Sequence, residues 1–195
     1  MPRESGSRLG NGGCEPGAGV ELQPDRKTVS GGPVRADPWD TWMERLLRRA
    51  DQVGREGEVP VAAVVLDGEG KAVGWGSNRR HRHQDPLGHA ELVALARAAR
   101  LRGSWRFHDC TLVVTLEPCP MCAGALVQAR MGQVVFGARD PKRGALGGTI
   151  DLSCHASAHH RMDVVAGVLE SRARSQLEEW FRQRRHRAAD EQMPD

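Results

Sequence analysis

An α/β fold is predicted by the order of hydrophobic patterns along this chain of 195 residues. From residue 89 onward, apolar runs of strand length alternate with stretches of helical periodicity. Because parallel strands need a crossover connection, usually a helix, this alternation indicates parallel pairing in a sheet with covered faces. The length suffices for one domain with a sizeable core, and no apolar run approaches the roughly 20 residues of a membrane span.

The first predicted elements are a helix and a hairpin. The helix lies in DPWDTWMERLLRRADQVG, where Asp37 suits an N-cap, Pro38 suits the first helical position, and apolar residues recur at helical spacing. Residues 59–67 predict a buried strand, and 71–78 predict a second strand after the turn GEG. The two strands are therefore expected to pair as a β-hairpin.

The later elements follow as alternating helices and strands. In order, the patterns predict a helix over 89–103, a strand over 111–118, a short helix over 119–130, a strand over 132–140, a glycine-rich loop over 144–148, a strand over 162–170 and a closing helix over 171–188. The chain shows no internal repeat, so the pattern predicts a single α/β unit.

The two ends of the chain differ in composition from the stretch between them. Residues 1–37 are rich in Gly, Pro, Ser and charge, so they cannot bury enough apolar surface to offset their ordering entropy, and we expect a disordered N-terminal extension. Residues 189–195 form a short acidic tail. The N-terminal stretch lacks the apolar run of a secretory signal, which favours a cytoplasmic protein with reduced thiols.

Cysteine spacing gives the first indication of chemistry. The chain has five cysteines, an odd and unevenly spaced set that makes a poor disulfide framework and favours metal binding or catalysis. Cys119 and Cys122 form a C-x-x-C pair in TLEPCPMCAGAL, after an apolar strand and at a helix start. Such a pair can be a redox dithiol, half of a structural zinc site or part of a catalytic metal centre.

The residues that could complete the cysteine pair separate these interpretations. A structural zinc site needs four ligands, and the chain has no second C-x-x-C, although His155, His159 and His160 could each donate one. The other candidate is His89, in the triplet HAE at a predicted helix start. One imidazole and two thiolates make three ligands, the number in a catalytic zinc site, where water takes the fourth position. Cys119 at a helix N-terminus also gains thiolate character from the helix dipole.

Glu91 discriminates a catalytic site from a structural one. A structural zinc site has no use for this carboxylate, whereas hydrolysis needs a group that moves protons from water to the leaving group. Residues two apart do not share a helix flank, so His89 and Glu91 can converge only beyond the open N-terminal end of their helix. The order H-x-E … P-C-x-x-C is the signature of zinc-dependent nucleobase deaminases, in which the glutamate is not a ligand.

Four stretches carry a resemblance to a known family. EVPVAAVV, SNRRHRHQDPLGHAEL, TLEPCPMCAGAL and VVFGARDPKRGALGG closely resemble bacterial tRNA-specific adenosine deaminases of the TadA type, in the cytidine/deoxycytidylate deaminase superfamily. The resemblance covers residues 38–188, which would form a zinc-dependent deaminase domain. It implies a three-layer α/β/α deaminase fold with a central five-stranded mixed sheet, one Zn²⁺ per subunit, and a homodimer.

The resemblance also implies an activity, the hydrolytic deamination of adenosine to inosine at the wobble position of a tRNA anticodon. His89, Cys119 and Cys122 would bind the zinc that activates water, and Glu91 would shuttle protons. The implied partner is the anticodon stem-loop of a tRNA, and neither a membrane nor an organic cofactor is implied.

Further residues match positions at which the family contacts RNA. Asn78 resembles the asparagine that contacts the target nucleoside, and Asp140 resembles the acid near the preceding nucleotide. On the last helix, Phe181 would stack on a base, and Arg184 and Arg185 would contact phosphate. Each has a plainer interpretation: a strand end for Asn78, a turn for Asp140, core packing for Phe181 and a solvated face for the arginines.

Two alternative functions follow from the same residues. One is deamination of a free base or nucleoside, such as guanine or cytosine. Against it stand the arginines ahead of the site, Arg79, Arg80 and Arg82, and those of the last helix, which suit an RNA-binding surface. The other is a structural-zinc RNA-binding protein without activity, which would use the metal only to stabilise its fold.

Overall fold

A computed structural model describes residues 38–190, with side chains described as far as Arg187. Two predictions concern residues outside this part of the chain, namely the disorder of residues 1–37 and the N-cap at Asp37. The end of the acidic tail, 191–195, also lies outside it. No helix in the described part combines the length and apolar character that crossing a membrane requires.

Ten helices and strands make up the described part of the chain. They are α1 (Pro38–Arg55), β1 (Ala62–Leu66), β2 (Ala72–Ser77), α2 (Arg80–His83), α3 (Ala90–Arg102), β3 (Thr111–Leu116), α4 (Pro120–Gln128), β4 (Gln133–Ala138), β5 (Asp163–Ala166) and α5 (Glu170–Asp190). Pro38 begins α1, as its fixed φ suits, and Gly103 ends α3 in the left-handed conformation, with its N–H bonded to the carbonyl of Ala99.

The five strands form one mixed sheet in the order β2-β1-β3-β4-β5. β1 pairs antiparallel with both β2 and β3, whereas β4 pairs parallel with both β3 and β5. One register row runs through the sheet, from Trp75 through Val64, Val113 and Val135 to Val165. The predicted hairpin and the predicted parallel pairing are both confirmed.

Helices cover both faces of the sheet, which confirms the three-layer α/β/α arrangement. On one face, a Cβ placed on Gly137 of β4 would lie 3.0 Å from Cβ of Ala173 in α5 and 3.2 Å from Sδ of Met43 in α1. On the opposite face, α3 packs against β2, with α4 beside it. Since each sheet face is covered, the central strands β1 and β3 are buried along most of their length.

Two glycines let α3 approach the sheet closely. A Cβ on Gly74 would lie 2.3 Å from the carbonyl oxygen of Ala94, and a Cβ on Gly76 would lie 1.9 Å from that of Ala90. Gly74 and Gly76 are two residues apart, so they share one face of the strand, and the small residues of α3 face them. The backbone of α3 therefore rests directly on β2, which fixes the start of the helix.

Gly76→Ala is expected to destabilise the fold by about 1–3 kcal/mol or more, because the new methyl group would overlap backbone atoms that cannot rotate away. Denaturant unfolding followed by circular dichroism measures the change in the free energy of unfolding. The matched control is Gly124→Ala in α4, where a Cβ meets nothing within 4 Å. This control should be neutral or stabilising by up to about 1 kcal/mol. Equal stability of the two variants would contradict the close helix-to-strand contact.

Two local features differ from the prediction. α2 was not predicted, because Arg80–His83 is polar throughout and has no buried residue that could give a hydrophobic period. A tertiary contact holds it instead, since Glu58 Oε1 accepts the backbone N–H of Arg82 at 2.7 Å. β5 ends before its predicted limit, because Gly167 and Leu169 adopt positive φ angles of 82° and 51°, which extended strands do not use.

Candidate functional site

The candidate site lies where two helices begin. His89 is the N-cap of α3 and Cys119 is the N-cap of α4, and both have extended backbone conformations. Cys122 follows one turn into α4 and is fully buried. β3 ends three residues before Cys119, so the site lies at the carboxyl end of a central strand, where α/β sheets bind ligands.

His89, Cys119 and Cys122 converge on one point. Nδ1 of His89 lies 3.7 Å from Sγ of Cys119 and 3.5 Å from Sγ of Cys122. The three ligand atoms lie within 4.8 Å of one another and form the one metal-capable group of His, Cys, Asp and Glu side chains in the described residues. The sequence prediction that these residues converge agrees with this geometry.

The geometry of the three ligands suits zinc. Zn–S bonds of about 2.3 Å and Zn–N bonds of about 2.0 Å in a tetrahedron place nitrogen and sulfur roughly 3.5 Å apart. The two N···S distances here, 3.7 and 3.5 Å, agree with that spacing. One imidazole and two thiols are also a donor set that zinc prefers. The residues present therefore fit a zinc ion held by three protein ligands.

The other histidines considered as ligands have different contacts. His155 Nδ1 lies 2.7 Å from the hydroxyl of Ser157, and His160 Nε2 lies 2.7 Å from the carbonyl oxygen of Met131. Neither these two nor His159 belongs to the metal-capable group of the described residues. Three protein ligands leave a position for water or substrate, as in catalytic zinc sites.

Hydrogen bonding and burial make the two thiols unequal. Hydrogen bonding with Cys122, assisted by His89, lowers the pKa of Cys119 to about 4. The same hydrogen bond and burial raise the pKa of the Cys122 thiol above its usual range. Hydrogen bonding with Cys119 raises the pKa of His89. The pair thus favours one thiolate and one thiol, and a bound cation would favour loss of the remaining proton.

Glu91 lies in the first turn of α3, beside the three candidate ligands, and is 4% exposed. Burial raises the pKa of its carboxyl group to about 7, and a backbone hydrogen bond and the nearby His89 offset this only in part. Its carboxyl group also interacts with the Cys122 thiol. The structure thus places a buried carboxyl group next to the candidate metal ligands, as the sequence predicts.

Asn78 joins the site through the start of α3. Its Oδ1 accepts the backbone N–H of Ala90 at 3.0 Å, and its own N–H donates to the carbonyl of Val61. The oxygen of this amide is therefore held at the helix end that also carries His89 and Glu91. This position is compatible with the substrate contact that the resemblance implies, which stays a prediction.

Asp140 lies in the loop between β4 and β5 and begins a turn. Its Oδ1 accepts the backbone N–H groups of Lys142 and Arg143, at 2.9 and 3.0 Å. Its own N–H donates to Oε2 of Glu117 at 3.0 Å. The turn interpretation of Asp140 thus holds, and the RNA contact that the resemblance implies stays a prediction alongside it.

Phe181 and Arg184 lie on α5, away from the three ligands. Phe181 is 44% exposed and packs edge-on against Trp180, so it does not belong to the core. Arg184 stacks over the Trp180 ring and donates to the carbonyl of Gly57 at 3.3 Å. No contact joins either residue to the ligand cluster within the described residues, so their RNA contacts stay predictions.

The arginines that precede His89 in the sequence are partly neutralised by ion pairs with acidic side chains. Arg79 pairs with Asp85 at 3.3 Å, and Arg82 pairs with Glu56 at 2.8 Å. Arg80 is exposed and forms no ion pair among the described residues. Fewer cations are therefore available to phosphate here than the sequence suggests.

Sequence reasoning missed the roles of two buried glutamates, Glu58 and Glu117, which are 4% and 2% exposed. Glu58 bonds the loop that carries α2, and Glu117 bonds the loop after β4. The available signal was their position, since each is a single acid beside an apolar strand and close to a proline. Buried carboxylates need partners, so such acids indicate loop attachment.

The fold and the site together define a class of protein. One histidine and two cysteines beside a glutamate that is not a ligand are the residues that nucleobase deaminases use around zinc. Here two helix N-termini at the end of a mixed sheet bring such a set together. Residues 37–185 match the MafB19-like deaminase family.

Individual relatives indicate which deaminases of this class the chain resembles in sequence and structure. The tRNA-specific adenosine deaminase of Bacillus subtilis (strain 168) is 39% identical over 146 residues, which cover 75% of this chain and 90% of that protein. A solved structure from a study of A-to-I editing by tRNA:A34 deaminases at the wobble position of transfer RNA has a TM-score of 0.67 and 34% identity, covering 70% of this chain and 98% of the other. The chain therefore belongs to the MafB19-like deaminase family and to the bacterial tRNA-specific adenosine deaminases.

A further relative is much longer than this chain. The tRNA(Ile)-lysidine synthase of Deinococcus radiodurans is 48% identical over 158 residues, which cover 80% of this chain. The match spans 26% of the length of that protein. The resemblance to this relative therefore concerns one part of a longer protein.

Proposed function

We propose that this protein catalyses the hydrolytic deamination of adenosine to inosine at the wobble position of a tRNA anticodon. The family and the solved tRNA:A34 deaminase support this substrate. The observation that carries the chemistry is the buried carboxyl group of Glu91 beside three candidate zinc ligands. A purely structural zinc site has no use for such a group.

The other buried glutamates of the described residues are committed to the backbone. Glu58 accepts the N–H of Arg82, and Glu117 accepts three N–H groups of one loop. Glu91 is the buried glutamate that lies in the first turn of α3 next to the ligand His89. We therefore assign proton transfer to Glu91 and a positioning role to the other two.

His89, Cys119 and Cys122 would hold one zinc ion per subunit. When bound, zinc would supply a Lewis acid that lowers the pKa of a water molecule to about 7. The helix starts that carry His89 and Cys119 hold the donor atoms in place and favour thiolate at Cys119.

Glu91 moves the protons that the hydrolysis requires. A C6–O bond forms and the C6–N bond of adenine breaks, so both protons of the water molecule are transferred. The first reaches the ring nitrogen beside C6 as the carbon becomes tetrahedral, and the second leaves the new C6 hydroxyl group and reaches the departing amine, which leaves as ammonia. The buried carboxyl group of Glu91 takes up each proton in turn and passes it on, and Asn78 orients the nucleoside beside it.

RNA would approach over the cationic residues around the site and on α5, including Arg80, Arg184 and Arg185. Binding should weaken as salt increases, because phosphate contacts release counterions. A base in the anticodon loop is already unpaired, so bringing it into the pocket costs little. A tRNA substrate fits a cytoplasmic enzyme, and the family resemblance implies a homodimer, which sedimentation of the full chain would test.

The test uses the full chain loaded with zinc and an anticodon stem-loop that carries adenosine at the wobble position. Inosine is expected at that position, measured by nuclease digestion and chromatography. The control stem-loop carries its adenosine elsewhere in the anticodon loop and should react far more slowly.

Two results would overturn the proposal in different ways. Turnover of free guanine or cytosine without inosine formation would indicate a deaminase of free bases or nucleosides. Binding of the stem-loop with no turnover of any substrate would indicate an RNA-binding protein whose zinc is structural.

A further inference from the structure

The carboxylate of Glu117 is the attachment point of the loop after β4. Its Oε2 accepts the backbone N–H of Asp140 at 3.0 Å. Its Oε1 accepts those of Leu146 and Gly148 at 3.1 and 2.8 Å. One side chain that is 2% exposed thus binds both ends of the segment 140–148.

The loop sequence leaves room for this carboxylate. A Cβ placed on Gly144 would lie 2.3 Å from Cδ of Glu117, and one on Gly148 would lie 2.9 Å from Oε1. Any side chain at these two positions would therefore overlap the carboxylate. The contact with Glu117 thus explains glycine at positions 144 and 148, whereas Gly147 adopts a positive φ of 112°.

The same loop is tied to the strand end that leads to the candidate metal ligands. Ala145 donates its N–H to the carbonyl of Pro118 at 2.9 Å, one residue before Cys119. The loop also carries Asp140, whose Oδ1 caps its turn. Glu117 and Pro118 therefore hold Asp140 in a fixed position relative to the site.

We propose that Glu117 is a positioning residue for RNA recognition, which acts by holding the loop of residues 139–149 so that Asp140 meets the nucleotide on the 5′ side of the target adenosine. This inference rests on the proposed function. Glu117 does not touch the reacting atoms, so it serves binding of the RNA and not the chemical step. A carboxylate suits the task because it offers acceptors only, and all three partners are N–H donors.

The first test compares Glu117→Gln with Thr115→Val. The glutamine amide keeps the shape but presents N–H groups to the N–H donors of the loop. Thr115 lies two residues earlier, is 1% exposed, and also accepts a buried backbone N–H, from Ala62. Valine at 115 thus removes a comparable hydrogen bond from the same strand without touching the loop.

For Glu117→Gln we expect KM for the stem-loop to rise at least tenfold, with kcat within threefold of the wild type and one zinc per chain. Hydrogen exchange of the amides at 140, 146 and 148 should accelerate. Thr115→Val should leave KM, kcat and the exchange of these amides unchanged. A fall in kcat at unchanged KM, or loss of zinc, would show that Glu117 supports the metal ligands and would overturn the inference.

A second variant leaves the carboxylate in place. Gly144→Ala adds a methyl group that displaces the Glu117 carboxylate, and alanine is compatible with the backbone at this position. We expect the same rise in KM at nearly constant kcat. An unchanged KM in a folded Gly144→Ala protein would contradict the proposed contact, whatever happens to the stability of Glu117→Gln.

A double-variant cycle tests whether Glu117 acts through Asp140. Asp140→Asn keeps Oδ1, which caps the turn, but removes the charge offered to RNA. Effects on KM should not multiply in the double variant, which should stay within threefold of the weaker-binding single variant. If the two increases in KM multiply in the double variant, Glu117 and Asp140 act independently, and the proposal that Glu117 acts through Asp140 is overturned. If the wild-type protein itself forms no inosine, the proposed function has failed, and hydrogen exchange still reports whether Glu117 holds the loop.

Discussion

Glu91→Gln is expected to lower kcat for the stem-loop by at least about 10³-fold, while zinc content stays at that of the wild type. The amide matches the carboxyl group in size, so the packing beside His89 and Cys122 is kept. It can neither take a proton from water nor give one to the departing amine, and more than one transfer depends on this group. Single-turnover kinetics and metal analysis of the same preparation measure both quantities.

The matched control for this variant is Glu58→Gln. Glu58 is also a glutamate that is 4% exposed, but its carboxylate holds the loop of Arg82 instead of facing the metal ligands. We expect its kcat to fall less than about tenfold, because the variant loses a structural hydrogen bond and keeps its acid–base group. Two outcomes contradict the assignment: Glu91→Gln that loses its metal, and Glu91→Gln that retains activity.

The core of the site was predictable because its residues lie at the starts of elements with clear hydrophobic patterns. His89 and Cys119 each precede a helix. In the sequence, Pro120 marks the first position of α4, and Gly103 marks the end of α3. Because both helices begin at the same end of the sheet, the order of elements alone predicts that these side chains come together. The sheet order was predictable only in part. The connections between strands indicate whether two strands pair parallel or antiparallel, but they do not indicate which strands lie side by side.

The remaining features depend on contacts between distant segments. The role of Glu117 requires the loop at 140–148 to fold back over the end of β3, and no periodicity encodes that contact. Likewise α2 has no hydrophobic face and depends on Glu58. The ion pairs of Arg79 and Arg82 reduce a basic stretch that the sequence presents as fully cationic. Contacts between side chains of distant loops therefore cannot be predicted from hydrophobic patterns in the sequence.

Cys122→Ala should lower zinc affinity by more than the 10–100-fold typical of changes outside the ligand set, and should abolish inosine formation. It removes one of the three proposed zinc ligands, and the remaining imidazole and thiol would not complete the site. The matched control is Cys110→Ala, because Cys110 is equally buried but bonds Arg102 and Asp109 and lies outside the ligand group. Metal titration and the inosine assay should show Cys110→Ala close to the wild type. Equal zinc binding by the two variants would contradict the ligand set.

Chelation of the wild-type protein separates a catalytic zinc from a structural one. A small zinc-stabilised module unfolds without its metal, because the metal replaces a core. Here the strands β1, β3 and β4 are buried between two layers of helices, so the fold does not depend on three ligands at one edge. We expect chelation to abolish deamination and lower Tm, since zinc binds only the folded state, while circular dichroism at 25 °C stays that of a folded α/β protein. Added zinc should restore activity, and unfolding on chelation would instead support the structural-zinc alternative.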